Sequence, residues 1–147
     1  MSRTHTPREA KDAVIAIFRA ADRLRRHFTP LLESHGITLQ QYNVLRILRG
    51  AGKEGLCTLE LAGRMIEQAP GITRLIDRLE TKSWVQRERS SDDRREVRCY
   101  ITPAGLRLLE QLDDPVDQLD DDVMNTLSPN DLATMTGLMN RLHREQK

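Results

Sequence analysis

Aromatic residues are scarce: one Trp, two Tyr and two Phe make up 3% of the 147 residues. A core with so few rings must be built from Leu, Ile, Val, Met and Ala, and that suits packed helices better than stacked sheets. Cysteine is rarer still. Cys57 and Cys99 form no metal-type pair by spacing, and two cysteines make no disulfide framework. They read as free thiols in a reducing compartment, Cys99 on the apolar side of a strand; a redox-sensing thiol stays open as a second reading. No apolar run approaches the length of a membrane span, and Met1–Pro7 lacks the apolar stretch of a signal peptide. The expected location is the cytoplasm, with no membrane partner. Repeats, low-complexity tracts and long linkers are also missing, so residues 1–147 are expected to form a single domain. No nucleophile sits beside a base, and there is no phosphate loop. His5, His27, His35 and His143 have no compact ligand spacing. An enzyme, a cofactor and a metal site are therefore not expected.

A strong excess of charge is absent too, the formal net charge being +1. Its distribution is more telling than its sum. Residues 64–98 carry nine bases against seven acids, whereas residues 110–131 carry eight acids and no base. A polyanion would draw one end of such a molecule and repel the other.

What the chain does hold is centred on residues 68–101. Pro70 to Glu80 reads as a helix whose Ile72, Leu75, Ile76 and Leu79 form one apolar stripe at i, i+3, i+4 and i+7. Stepping about 100° per residue places Pro70, Arg74, Asp77 and Thr81 on the opposite side, with Gly71, Thr73 and Arg78 flanking them. The outward face near the helix start is small and polar, with an arginine long enough to reach a base edge. Unpartnered N–H groups there also favour anions. Trp84 to Arg89 and Val97 to Ile101 then read as two strands, joined by a polar turn with Arg94 and Arg95 near its tip. A groove-sized helix followed by a basic hairpin is the layout of a winged helix-turn-helix. The helix would read bases, and Arg94 and Arg95 would take phosphates or a narrow minor groove. Alone, that turn would read as a solvated hairpin tip. Trp84 is expected to anchor the wing to the helices.

The flanking segments read as helices. Helix 1 (about Arg8–Ser34) carries Val14, Ile17, Phe18, Ala21, Leu24, Phe28, Leu31 and Leu32, with Pro30 able to bend it and Gly36 suited to a left-handed stop. Thr38 caps helix 2 (Leu39–Arg49), in which Val44, Leu45 and Leu48 face inward. Thr58 opens helix 3, with Leu59, Ala62, Met65 and Ile66 as its core stripe, and a minimal strand fits Gly55–Cys57. Thr102-Pro103 starts a helix carrying Leu106, Leu109, Leu112, Val116, Leu119 and Val123, kinked at Pro115. Ser128-Pro129 starts the last one, with Leu132, Met135, Leu138, Met139 and Leu142. The fold class is mainly α with a small β-hairpin wing (α+β): a winged core at 38–102, with 8–35 and 103–147 as dimerisation helices. The terminal stripes are too extensive for one small core, and a twofold dimer would bury them.

Several stretches together resemble the MarR/SlyA family of bacterial winged-helix regulators: Leu39-Gln40-Gln41-Tyr42-Asn43-Val44-Leu45, Leu61-Ala62, Ile72 to Glu80, Asp93-Arg94-Arg95 and Ile101-Thr102-Pro103-Ala104-Gly105. The resemblance implies that Pro70, Gly71, Thr73 and Arg74 face the groove and that Arg94 or Arg95 serves the wing. It implies that Asp77 pairs with a wing arginine and braces the hairpin. Gly71 stands where the family often has serine, and Ser83 where it usually has glycine after the reading helix. The resemblance also implies a small aromatic or phenolic effector in a cleft between the dimer helices and the core, near His27, His35, Tyr42 and Arg46. The expected function is a homodimeric, sequence-specific regulator of double-stranded DNA, a ligand-responsive repressor on a palindromic operator. The alternative is a winged-helix protein-interaction module that no longer binds DNA.

Overall fold

The computed structural model describes residues 4–68, 70–90, 92–93 and 95–144. Among the described residues, six α-helices and three short strands follow one another: α1 (Pro7–Ser34), α2 (Leu39–Ala51), β1 (Leu56–Cys57), α3 (Thr58–Arg64), α4 (Ile72–Thr81), β2 (Val85–Arg89), β3 (Val97–Ile101), α5 (Pro103–Met124) and α6 (Pro129–Arg144).

Local chemistry sets most of these boundaries. Thr6 with Glu9 and Thr38 with Gln41 form reciprocal capping boxes at the starts of α1 and α2. Ser128 and Asp131 exchange the same pair of bonds before α6, and Thr102 Oγ1 accepts from the Gly105 N–H at the start of α5. Proline occupies the first position of α1, α5 and α6, where its missing N–H leaves no bond unmade. α1 ends where Gly36 adopts φ +72°, a left-handed conformation that glycine enters without penalty. Neither Pro30 nor Pro115 breaks its helix.

The strands form one antiparallel sheet in the order β1-β3-β2, with Leu56 opposite Cys99 and Arg87 opposite Cys99 on the other edge. The core lies where α2, α4, α5 and the sheet meet. Val44, Leu45 and Leu48 of α2, Ile76 and Leu79 of α4, Val85, Cys99, Leu109 and Leu112 are almost wholly buried. Leu32 is the buried residue of α1, with Phe28 and Leu31 packed beside it.

Three expectations need correction. α4 begins at Ile72, so Pro70 and Gly71 belong to the turn before it, with Gly71 as the N-cap. In α3, Leu59 is 84% exposed and Ile66, just past the helix end, 78%. Leu61 is the buried side chain instead. Leu59 and Leu61 lie about 200° apart around a helix and cannot share a face; Leu61 shares its face with the half-buried Met65, leaving Leu59 outside. In α5, Leu106 is 36% exposed and Leu108 is inward. Gly105 lies against Trp84 and takes the inner position one turn before Leu109, while Leu109, Leu112 and Val116 face inward as expected.

Candidate nucleic-acid interface and adjoining cleft

α4 turns its apolar stripe fully inward: Leu75, Ile76 and Leu79 are buried and Ile72 is half-buried. Phase alone then forces Thr73, Arg74, Asp77 and Arg78 outward, and all four are exposed, as are Pro70 and Gly71 in the preceding turn. The result is a solvent-facing polar strip at the start of a ten-residue helix.

The hairpin is tied to that helix by a residue that composition and spacing did not single out. Arg87, on β2, pairs with Asp77 at 2.5 Å and with Glu80 at 3.0 Å. Its own backbone N–H also donates to Glu80 Oε2. These hydrogen bonds hold the Glu80 carboxyl below its usual range and push the Arg87 guanidinium up. Among the described residues, the arginine paired with Asp77 is thus one in the strand of the wing, on the face next to α4. The signal was legible as alternation, because Val85 and Arg87 share one face of β2.

At the tip, Arg94 lies outside the described residues. Arg95 is exposed, and its N–H donates to Asp93 Oδ1. Asp93 also accepts the Glu96 N–H on its carbonyl, and the Ser90 N–H closes the loop on the Glu96 carbonyl. Asp93 thus shapes the turn that presents Arg95, as Asx side chains do. Arg98 faces the other way: its guanidinium donates to the carbonyls of Glu54 and Gly55 and to Glu96, clamping the base of the hairpin. Cys57, Glu60 and Glu96 bring ligand-type atoms within 4.8 Å of one another there, a convergence their sequence spacing did not reveal. Cys99 is buried, which pushes its thiol up, away from the reactive thiolate. Trp84 is half-buried against the core, with Lys82 Nζ 4.8 Å from its ring centre.

Two adjoining cavities separate α1 from the winged core. One, of 290 Å³, is lined by Phe28, Tyr42, Arg46, Val116 and Asp120, among others. The second, of 370 Å³, reaches under the start of α2 to Gln41, Met65, Leu75 and Arg78. Tyr42 and Arg46 therefore stand together, the Arg46 guanidinium 5.8 Å from the centre of the phenol ring. Burial raises the Tyr42 hydroxyl pKa, so it stays a neutral donor. His27 and His35 line neither cavity. His27 is exposed and donates through Nδ1 to the Arg23 carbonyl, while His35 closes the end of α1 on the Leu31 carbonyl. The cleft residues that sequence reasoning missed are Arg25, Asn43, Glu67 and Asp120. Arg25 and Glu67 come together only in three dimensions, 42 residues apart.

A helix-turn-helix whose second helix turns a polar face outward, beside a hairpin, defines the winged-helix class of DNA-binding domains. The comparisons narrow this. The MarR family profile matches residues 37–97. The chain is 30% identical to the HTH-type transcriptional regulator FarR of Neisseria gonorrhoeae over 138 residues, covering 92% of this chain and 93% of FarR. Its fold is similar to a mutant MarR from E. coli complexed with operator DNA, with TM-score 0.82 and 25% identity over 95% of this chain and 99% of the other. It is similar as well to NadR in complex with 4-hydroxyphenylacetate, with TM-score 0.75 and 27% identity, covering 97% and 96%. The chain belongs to the MarR family of DNA-binding transcriptional regulators.

Proposed function

We propose that the protein is a homodimeric repressor that reads a palindromic operator and releases it when a small aromatic or phenolic acid enters the cleft. The observation that carries this reading is the pairing of a polar α4 face with terminal helices whose apolar faces have no cover. Val14 and Phe18 of α1 are 50% and 72% exposed, and Leu138 and Leu142 of α6 are 47% and 56%. No residue of α6 is buried. Each such side chain taken fully out of water contributes about 1.5–3 kcal/mol, so a twofold partner seated on these faces gains substantially. Two α4 helices held about 34 Å apart then meet successive turns of one duplex.

In this reading Thr73 and Arg74 contact base edges, Pro70 and Gly71 let the backbone approach the groove wall, and Arg94 and Arg95 take phosphates. Asp77, held by Arg87, braces the hairpin; a free carboxylate facing phosphate would be repelled. Repression follows from occupancy, since the turns of duplex covered by the dimer are closed to polymerase. In the cleft, the Tyr42 hydroxyl and the Arg46 guanidinium suit a carboxylate-bearing ring, the kind of ligand that NadR holds in its complex. Such a ligand releases DNA only by binding one spacing of the reading heads more tightly than the other.

The direct test is an electrophoretic shift with duplexes selected from random sequence. Arg74→Ala should cost about 1–3 kcal/mol on the selected duplex and little on random duplex. Arg95→Ala should weaken both alike and flatten the salt dependence. Undiminished preference for the selected duplex in the Arg74 variant would remove that residue from the reading face.

A further inference from the structure

Arg25 projects from α1 between the two cavities and lines both. Its guanidinium is paired with Glu67 at 2.5 Å, in the turn that delivers the chain to α4. One residue earlier, the Ile66 N–H donates to Asn43 Oδ1 of α2 at 2.8 Å. The turn that aims the reading helix is therefore held at two adjacent positions, by α2 through a neutral hydrogen bond and by α1 through charge. Only the second hold can be undone by a competing ion.

The pair's contribution to folding is small. The two side chains keep 57% and 42% of their surface in water, and an ion pair so exposed adds little to stability. Its position is the informative part. Among the described residues, this side-chain bond joins α1, one of the two terminal helices with an uncovered apolar face, to the turn leading into α4. It also borders the space a ligand would fill.

We infer that the Arg25–Glu67 ion pair is a latch between the dimer-forming helix and the turn that aims α4, and that an anionic ligand opens it by taking Arg25 from Glu67. This rests on the effector-released regulator proposed above and adds the means of release. The energetics follow from the same two charges. With the latch closed, Glu67 neutralises Arg25 and repels a second anion; with it open, Arg25 is free to bind one. The ligand thus prefers the open state, as any effector that shifts an equilibrium must. Arg25 and Glu67 line the same cavity as Tyr42 and Arg46, so a carboxylate seated there meets Arg25 as well.

The test is a mutant cycle read in two ways. Affinity for the duplex selected by the wild-type protein is measured for Arg25→Ala, Glu67→Gln, both together, and the exchange Arg25→Glu with Glu67→Arg. Each single change should lower affinity about tenfold, within the range of ordinary coupling between sites. The double should be no worse than either single, the exchange should recover most of the loss, and melting temperatures should stay together. Wild-type affinity in the singles, losses that multiply, or losses that follow melting temperature would overturn the latch. Failure of the wild-type protein to select any duplex would instead overturn the regulator reading beneath it. In the second readout, 4-hydroxyphenylacetate and related aromatic carboxylates should release duplex from the wild-type protein. Their carboxamides should not, and the exchanged variant should resist both. Indifference to the whole carboxylate series, equal release by carboxamides, or normal release of the exchanged variant overturns the displacement step.

Discussion

Ser83 adopts φ +64°, the left-handed conformation that a side chain enters only at a cost. It follows the end of α4, where the Ser83 N–H bonds the Glu80 carbonyl and the Trp84 N–H bonds Leu79. The Ser83 carbonyl accepts from Thr102 Oγ1, tying the helix end to the start of α5. None of these bonds uses the serine hydroxyl, so Ser83→Gly should raise stability by about 1 kcal/mol. A urea midpoint that fails to rise, at unchanged slope, would remove the strain argument. Gly105 presents the opposite case. In a helix, glycine to alanine ordinarily gains up to about 1 kcal/mol. Here an added Cβ would meet the Trp84 carbonyl oxygen at 2.5 Å and Ile101 Cγ1 at 2.8 Å. Gly105→Ala should therefore destabilise by about 1–3 kcal/mol, as overpacking does, and a raised midpoint would contradict the contact. Residue-level sequence reading caught the first of these through an unusual serine. It missed the second, because a glycine's neighbours across the fold leave no trace in spacing.

At the scale of elements, the connection that matters is Arg87 between β2 and α4. Arg87→Ala removes the side-chain pairing to Asp77 and Glu80, leaving the backbone bond to Glu80 and the sheet register in place. Duplex affinity should fall, with little change in the affinity that the exposed α4 face alone provides at low salt. Acid should act on the same connection. Glu80 titrates below its ordinary range when folded, so its stabilising contribution is complete above the unfolded value and disappears as pH falls through the folded one. A Glu80→Gln protein should therefore show a flatter loss of stability with acid than the wild type; parallel acid curves would show that the carboxylate contributes nothing.

The long, capped helices were readable to within a residue or two, because a Thr or Ser cap, an acid or amide three residues on and a proline at N1 are local signals. α3 was not. Seven residues give scarcely two turns, so Leu59 and Leu61 offer two phases of equal apolarity, and only packing on α2 chooses between them. The polar face of α4 was legible from periodicity alone, whereas the cleft was only half so. Tyr42 and Arg46 share a helix face, but Arg25 and Glu67 meet across 42 residues of chain.

At the scale of the molecule, charge and apolar surface are divided between its parts. Aspartates crowd the far half of α5, where burial and the neighbouring Asp117 push the Asp120 carboxyl up. The far half of α5 has no base to offset them, whereas α4 and its two following strands carry Arg74, Arg78, Arg87, Arg89 and Arg98. The apolar faces of α1 and α6 should govern assembly. Phe18 is 72% exposed, so Phe18→Asp leaves the core untouched. With Leu142→Asp added, the chain should sediment as a monomer with an unchanged helical spectrum and weakened duplex binding. A double variant that still sediments as a dimer would place the interface elsewhere.

Trp84 has a practical consequence. It is the only tryptophan in the chain, and it sits at the joint where α4 gives way to β2, under the Lys82 ammonium. The terminal helices contain none. Its emission is accordingly a built-in optical gauge of the reading head, needing no label, and circular dichroism is weighted toward the long helices at either end. Where the two signals part company during titration or heating, the winged head and its handles are moving separately; where they coincide, the molecule responds as one body.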